Sequence, residues 1–177
     1  MVWFTLLTID QKDELSICDL YCRVFAGPPW FETWTIDQAL NIFDDAIRRE
    51  GFVGVQARID DKTVGFAWGY VTPAENTPTV NFENMRQIFY KKELNPDKIF
   101  YCAELGVDPN YQGKGIGSIL VKVRLEGIKK WGFRILAFRT INPIVLTIGK
   151  KEYRSEIEEI SYDPEYRERK LYLVRLK

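Results

Sequence analysis

Hydrophobic positions along the chain follow two rhythms, a period of two and a period of about 3.6, and the switches between them mark the elements. "WFTLLTI" (3–9) reads as a strand, and residues 10–25 continue as an amphipathic helix with Asp10 as its candidate N-cap. "AGPPWFETW" (26–34) forbids helix through its glycine and two prolines while keeping three aromatic side chains. A second helix begins at a Thr35–Gln38 capping box and places Ala39, Ile42, Phe43, Ala46 and Ile47 on one face. Residues 51–71 form a hairpin, two β-rich runs joined at Asp60–Asp61–Lys62. Residues 72–98 are polar and proline-bounded, with a short helical pattern over 82–93. "KIFYCAELGV" (98–107) is apolar on both faces except at Glu104, as a central strand is. The spacing then predicts a helix over 115–131 with Ile119, Leu120, Val123, Gly127, Ile128 and Trp131 on one side. A strand over 133–139 follows, then a helix opened by Asn142 as N-cap and Pro143 at its first position. Strands over 156–162 and 170–176 close the order β-α-α-β-β-α-β-α-β-α-β-β. No linker divides the series, so it is one α/β domain spanning residues 1–177.

Composition narrows the class. With 177 residues, 46% hydrophobic and 28% charged, the chain has the make-up of a globular domain with a real core. The opening "MVWFTLLTID" is too short to span a membrane and has no basic flank, so no membrane association is expected. Three cysteines with no Cys-x-x-Cys pair argue against a disulfide framework and for a reducing, cytoplasmic compartment. Cys18 and Cys22, one helical turn apart, read as small core residues and not as a metal site. There is no histidine. Its absence removes the commonest general base and the commonest zinc ligand, so no metal is expected and acid–base work falls to carboxylates, tyrosine or water. Net charge is zero, but residues 1–108 carry −7 and residues 109–177 carry +7. That asymmetry suits an anionic ligand on the C-terminal half and a cationic one near the N-terminal half. The neutral total argues against a nucleic-acid partner.

The chemistry concentrates in "YQGKGIGSIL" (111–120), a glycine-rich turn between a strand and a helix. A dinucleotide fingerprint would need G-x-G-x-x-G opening the first βαβ unit, but Ser118 stands in the third glycine place and no acidic residue ends the next strand. A P-loop would need Ser or Thr after Lys114, where Gly115 stands. A tight turn whose glycines serve only close packing stays open. The remaining pattern is Q-x-x-G-x-G, met by Gln112, Gly115 and Gly117 after a strand ending in "LGVDPNY". With this motif, and with the element order from first strand to last, the chain resembles the GNAT superfamily of acetyl-CoA-dependent N-acetyltransferases. "PPW" between the first two helices is similar to a segment in some members.

The resemblance implies a single-domain α/β fold, a mixed and mostly antiparallel sheet of about seven strands flanked by helices, with a splayed central strand pair. It implies acetyl transfer from acetyl-CoA to an amine carried by a small molecule or a protein. The pyrophosphate would rest on the backbone from Gln112 through Gly113, Lys114, Gly115, Ile116 and Gly117 to Ser118, at a helix N-terminus whose N–H groups favour an anion. Pantetheine would pair with Leu105 and Val107, near a bulge at Leu105–Gly106, and Asn142 would also contact the cofactor. The Val107 N–H would stabilise the oxyanion. Glu104 is the candidate base; the alternative is a structural Glu paired with Arg139. Trp30, Phe31 and Trp34, with Glu32, Glu75 and Glu83, are the candidate acceptor-binding residues. The family's acid tyrosine would fall at Gly149, and Tyr153 lies four residues further on. Either water protonates the thiolate or catalysis is weak; the alternative function is a non-catalytic acyl-CoA-binding domain with the same fold. A homodimer is left open.

Overall fold

The computed structural model describes residues 1–7, 14–163 and 168–177. Seven strands form one sheet in the order β1-β2-β3-β4-β5-β7-β6. They are β1 (Val2–Leu6), β2 (Val53–Ile59), β3 (Lys62–Val71), β4 (Ile99–Val107), β5 (Ile135–Thr140), β6 (Ile157–Tyr162) and β7 (Lys170–Arg175). Every neighbouring pair is antiparallel except β4 and β5, which run parallel. Helices α1 (Glu14–Ala26), α2 (Ile36–Ile47) and α3 (Phe82–Lys91) cover one face; α4 (Ile116–Lys130) and α5 (Pro143–Tyr153) cover the other. The element order is the one the periodicities predict. The N-cap expected at Asp10 lies outside the described residues.

Strand alternation builds the two layers. On β3, Phe66, Trp68 and Tyr70 point toward α1, α2 and α3, where Tyr21, Phe43 and Phe82 meet them edge-on or stacked. The intervening Gly65, Ala67 and Gly69 leave the opposite face flat. There α4 comes so close that a Cβ on Gly65 would lie 2.9 Å from Leu120 Cδ1. The Thr35–Gln38 capping box forms reciprocally at the start of α2.

The buried face of α4 differs from the expected one. Ile116, Leu120, Val121, Arg124, Leu125 and Ile128 are buried, while Ile119 and Trp131 are exposed. The helix is turned by about one position from the expected face, which puts a charged residue, Arg124, at the centre of its inner face.

Asp108, fully buried just past β4, ties the layers together. Arg23 Nη1 of α1 donates to it at 2.6 Å, Lys62 Nζ stands 3.2 Å away, and the Asn110 N–H bonds its other oxygen. Burial alone would raise this carboxyl; the hydrogen bonds from Arg23, Asn110 and Lys62 outweigh it and hold it at about 2. Unfolded, the group titrates near ~3.9. Its contribution is therefore complete above about pH 4 and is lost as pH falls toward 2. Asp108→Asn is expected to lower Tm at pH 7, and its difference from wild type should shrink as pH falls from about 4 to 2, measured by thermal melts across that range.

Candidate active site

The parallel pairing of β4 with β5 covers only Ile99–Tyr101 against Ile135–Ala137. Beyond Tyr101 the two strands part, and a cavity of about 330 Å³ opens through the gap. One end is walled by Tyr21 and Phe25 of α1 and by Trp30 and Trp34. The other is walled by Val121 and Arg124 of α4 and by Gly149 and Tyr153 of α5. The cavity thus connects both faces of the sheet.

β4 carries one extra residue against β3: Trp68 pairs with Glu104 and Tyr70 with Tyr101, so three steps on β4 answer two on β3. This bulge falls at Cys102–Ala103, not at the expected Leu105–Gly106, which pairs regularly with Ala67 and Phe66. The cause lies in the packing. A Cβ on Gly69 would come within 2.3 Å of the Tyr101 carbonyl, so the extra residue bows into space only glycine leaves. A bulge re-aims the side chains after it. Strict alternation from Tyr101 would turn Glu104 toward α4; the bulge turns it to the α1 side, where the Tyr21 hydroxyl lies 3.5 Å from its Oε1.

Burial pushes the Glu104 carboxyl up to about 7; Arg139 and Arg169 oppose the rise, Glu32 adds to it, and the Tyr21 hydrogen bond lowers it. The expected structural partner is engaged elsewhere. Arg139 forms its ion pair with Asp163 and also donates to the Tyr101 hydroxyl and to Thr79 O.

In a pleated strand the N–H and C=O of each residue point to one side and those of the next to the other. The Asp108 N–H bonds Val64 O on the β3 side. Val107, and with it Leu105, therefore aims its backbone away from β3, into the gap. No bulge at Leu105–Gly106 is needed for that.

The glycine loop follows the end of β4 directly. Gly113 and Gly115 have φ of +74° and +80°, the left-handed region that glycine adopts freely, and a Cβ on either would meet no protein atom within 4 Å. α4 begins on Gly115 without a side-chain cap, so its first N–H groups face that open space. The cradle fits a pyrophosphate, with a backbone path along Leu105 and Val107 for the rest of a CoA-like molecule. Gly117 has a different reason to be glycine: its missing Cβ would lie 3.2 Å from Ile148 Cδ1 and 3.6 Å from Val107 Cγ2. Several loop side chains are occupied. Gln112 Nε2 donates to Val107 O at 3.1 Å, and Lys114 Nζ reaches Asn110 O and lies over the Tyr111 ring. The Ser118 hydroxyl donates to Glu152, and the Ile116 side chain is buried in the core. These residues can offer an anion their backbone more readily than their side chains. Asn142 caps α5 through its bond from the Ile144 N–H.

On the α1 side, Trp34 Nε1 donates to Glu32 at 3.0 Å and its ring meets Tyr21 edge-on. Trp30 packs on Phe25 beneath the Arg169 guanidinium, which is also paired with Glu32. Phe31 is 74% exposed and does not line the cavity. Glu75 and Glu83, the latter on α3, are exposed and lie outside it too; Pro78 and Thr79 of the segment between them line it instead.

Sequence reasoning missed Tyr21, Arg124 and the Arg139–Asp163 pair. The signal for Arg124 was a basic residue at a position of α4 that the neighbouring apolar spacing assigns to the core. Residues 149 and 153 share a helical face, and the Tyr153 ring folds back over Gly149, where a Cβ would lie 3.2 Å from it. Tyr153 thus occupies the space beside the expected tyrosine position.

Residues 16–145 match the Acetyltransferase (GNAT) family, and the chain belongs to it. Among solved structures, PH1933 from Pyrococcus horikoshii OT3 is similar with a TM-score of 0.72 at 19% identity, covering 100% of this chain and 99% of that one. The PaiA N-acetyltransferase from Thermoplasma acidophilum, solved in complex with coenzyme A, gives 0.66 at 13% identity over 99% of both chains. A mosquito arylalkylamine N-acetyltransferase, like 5b, gives 0.68 at 15% identity over 99% of this chain and 100% of its own. At such identities the likeness is one of fold. No curated protein matches the chain. No helix among the described residues is long and apolar enough to cross a membrane.

Proposed function

We propose that the protein transfers an acetyl group from acetyl-CoA to an amine that enters from the α1 side. The observation that carries this reading is the gap after Tyr101, where Glu104 and Leu105 of β4 border a passage through the sheet and the glycine loop follows at the end of the same strand, bonded to it through Gln112 and Val107 O. Gln112 to Ser118 hold the pyrophosphate by backbone N–H groups, and Leu105 and Val107 pair with the pantetheine amides. The Val107 N–H steadies the negative charge that develops on the carbonyl oxygen during attack. Glu104, poised near neutrality, takes the proton from the attacking amine directly or through one water. Trp30 and Trp34 form the acceptor wall with Tyr21 and Phe25. That wall is mainly aromatic, and its one acid on the loop, Glu32, is already paired with Arg169. It suits an amine with an apolar body better than a polycation.

The test is a thermal-shift comparison of acetyl-CoA, CoA, NAD and ATP, followed by free-thiol release across a panel of amines. Stabilisation by CoA and acetyl-CoA alone, with thiol released in the presence of an apolar amine, is expected. Stabilisation without thiol release from any amine would instead describe a domain that only holds acyl-CoA. Stabilisation by NAD or ATP and not by CoA would end the acetyl-transfer reading.

A further inference from the structure

At the α4–α5 end of the cavity one cation stands without an acid. Arg124 is 3% exposed. Its Nη1 donates to Trp68 O at 3.1 Å and to Glu104 O at 2.9 Å, and its Nη2 approaches the Tyr153 hydroxyl at 3.5 Å. Nε has no partner. Among the described residues no carboxylate lies within ion-pair distance of it, whereas the other guanidinium of the cavity's sheet wall, Arg139, has Asp163. The two carbonyl bonds stitch β3 to β4 across the bulge, and carbonyl dipoles solvate a charge without neutralising it. Burying a cation in this way is costly, so its presence on a cavity wall points to an anion that arrives.

We propose, on the reading of the site as acetyl-CoA-dependent, that Arg124 receives the CoA thiolate as it leaves, with the Tyr153 hydroxyl as a hydrogen-bond donor beside it. The glycine loop fixes the phosphate end of the ligand near Val107. From there the ligand follows β4 back into the cavity, which Leu105 and Cys102 of that strand line together with Arg124 and Tyr153. The sulfur end therefore enters it on the side of Arg124 and Tyr153. In the step, the amine nitrogen bonds to the thioester carbon, the C–S bond breaks, and its electron pair stays on sulfur. Glu104 takes the amine proton, and Arg124 balances the charge left on sulfur.

Tyr153 keeps its own proton. An alkyl thiol ionises near pH ~8.5. Burial, and the neighbouring Cys102 after it, push the Tyr153 phenol well above its ordinary value although Arg124 pulls it down. Transfer from phenol to thiolate is uphill, so the sulfur leaves as an anion and is protonated by water after release. The titratable groups nearest this seat are Arg124 from α4, Tyr153 from α5 and Cys102 from β4; Glu104 and Arg139, on the same cavity wall, are turned to the α1 side, and Phe138, Val145 and Gly149 complete the seat without charge. An ionised Glu104 would disfavour a thiolate. A lowered thiol pKa therefore has two sources here, the Arg124 charge and the Tyr153 hydrogen bond, and Arg124→Met removes the first.

The experiment titrates CoA bound to the protein by thiolate absorbance, as a difference against the complex with desulfo-CoA, which cancels the three protein thiols. The bound thiol is expected to ionise about one pH unit or more below free CoA. Arg124→Met keeps an apolar stem and loses the charge, and it is expected to return the thiol to its free value or above while CoA still stabilises the protein. A wild-type thiol that ionises at or above the free value overturns the assignment, whether or not the variant folds. Faster turnover of succinyl-CoA than of acetyl-CoA by the wild type would place the Arg124 charge on an acyl carboxylate and overturn it equally. If CoA does not stabilise the wild-type protein at all, the acetyl-CoA reading itself falls. That result is distinct from a bound CoA whose thiol is unshifted.

Discussion

Glu104→Gln is expected to bind acetyl-CoA as wild type does and to turn over about 10²–10⁴-fold more slowly, the usual range for a general base. The carboxyl borders the cavity, and burial holds it at about 7. Below that pH it is protonated and cannot accept the amine proton, so the wild-type rate should fall on the acidic side with a midpoint near 7. The glutamine variant should lose that limb. Stability supplies an independent sign. A carboxyl raised on folding holds its proton in the native state between its unfolded value, about 4.3, and about 7. Native stability therefore declines as pH rises through that window, because the folded state must give up a proton it binds more tightly than the unfolded chain does. A neutral glutamine escapes this loss. The variant should melt no lower than wild type at pH 8, and higher if the Tyr21 contact survives. A Glu with only a structural role predicts the reverse: a lower Tm and normal turnover per folded molecule. Melts and rates on the same preparation decide between them.

The sequence states most of the fold because each element carries its own local signal. The capping box at Thr35–Gln38, Asn142–Pro143 at the head of α5, and the alternation of Phe66, Trp68 and Tyr70 with small residues are all readable without tertiary context. Two features needed that context. The face of α4 differs from the expected one because a burial pattern read from apolar residues alone does not admit a buried arginine, and Arg124 is held in the core by the Trp68 and Glu104 carbonyls of two neighbouring strands. The bulge itself was misplaced by about three residues. Nothing in "CAELGV" distinguishes Cys102–Ala103 from Leu105–Gly106, and what decides is Gly69 on the neighbouring strand.

The candidate site was legible where chemistry is rare. A lone carboxylate in a central strand and a Q-x-x-G-x-G turn are unusual enough to be singled out. The aromatic loop was only half legible: Trp30 and Trp34 face the cavity, and Phe31 between them faces solvent. The loop is irregular there, with Phe31 at φ +51°, so no period assigns its side chains to sides. The groups that set the Glu104 carboxyl come from four separate parts of the chain, Tyr21, Glu32, Arg139 and Arg169. Such a set is assembled only by folding. Its consequence is mechanistic: Arg139 and Arg169 temper the burial that raises Glu104, which leaves it near neutrality and not permanently protonated.

Gly115→Glu is expected to abolish the stabilisation that CoA confers. At a ligand concentration 100-fold above Kd that stabilisation is about 2.7 kcal/mol, and it should fall to nothing. Two effects have to be separated. The first is conformational: Gly115 has φ +80°, where a residue with a Cβ is disfavoured by about 1–2 kcal/mol. The second is electrostatic and steric, since a Cβ there meets no protein atom within 4 Å and the carboxylate would extend into the space assigned to the phosphates. Gly115→Asn is the uncharged control, because asparagine adds a side chain, tolerates the left-handed region and carries no charge. It should lower Tm slightly without ligand and retain a weakened response to CoA. The glutamate variant should show a larger loss without ligand and no response to CoA at all. Raising ionic strength should weaken CoA binding to wild type, because the helix-terminus field that attracts the phosphates is screened by salt. If both variants fold and bind CoA as tightly as wild type, the glycines serve only the turn and the anion seat lies elsewhere.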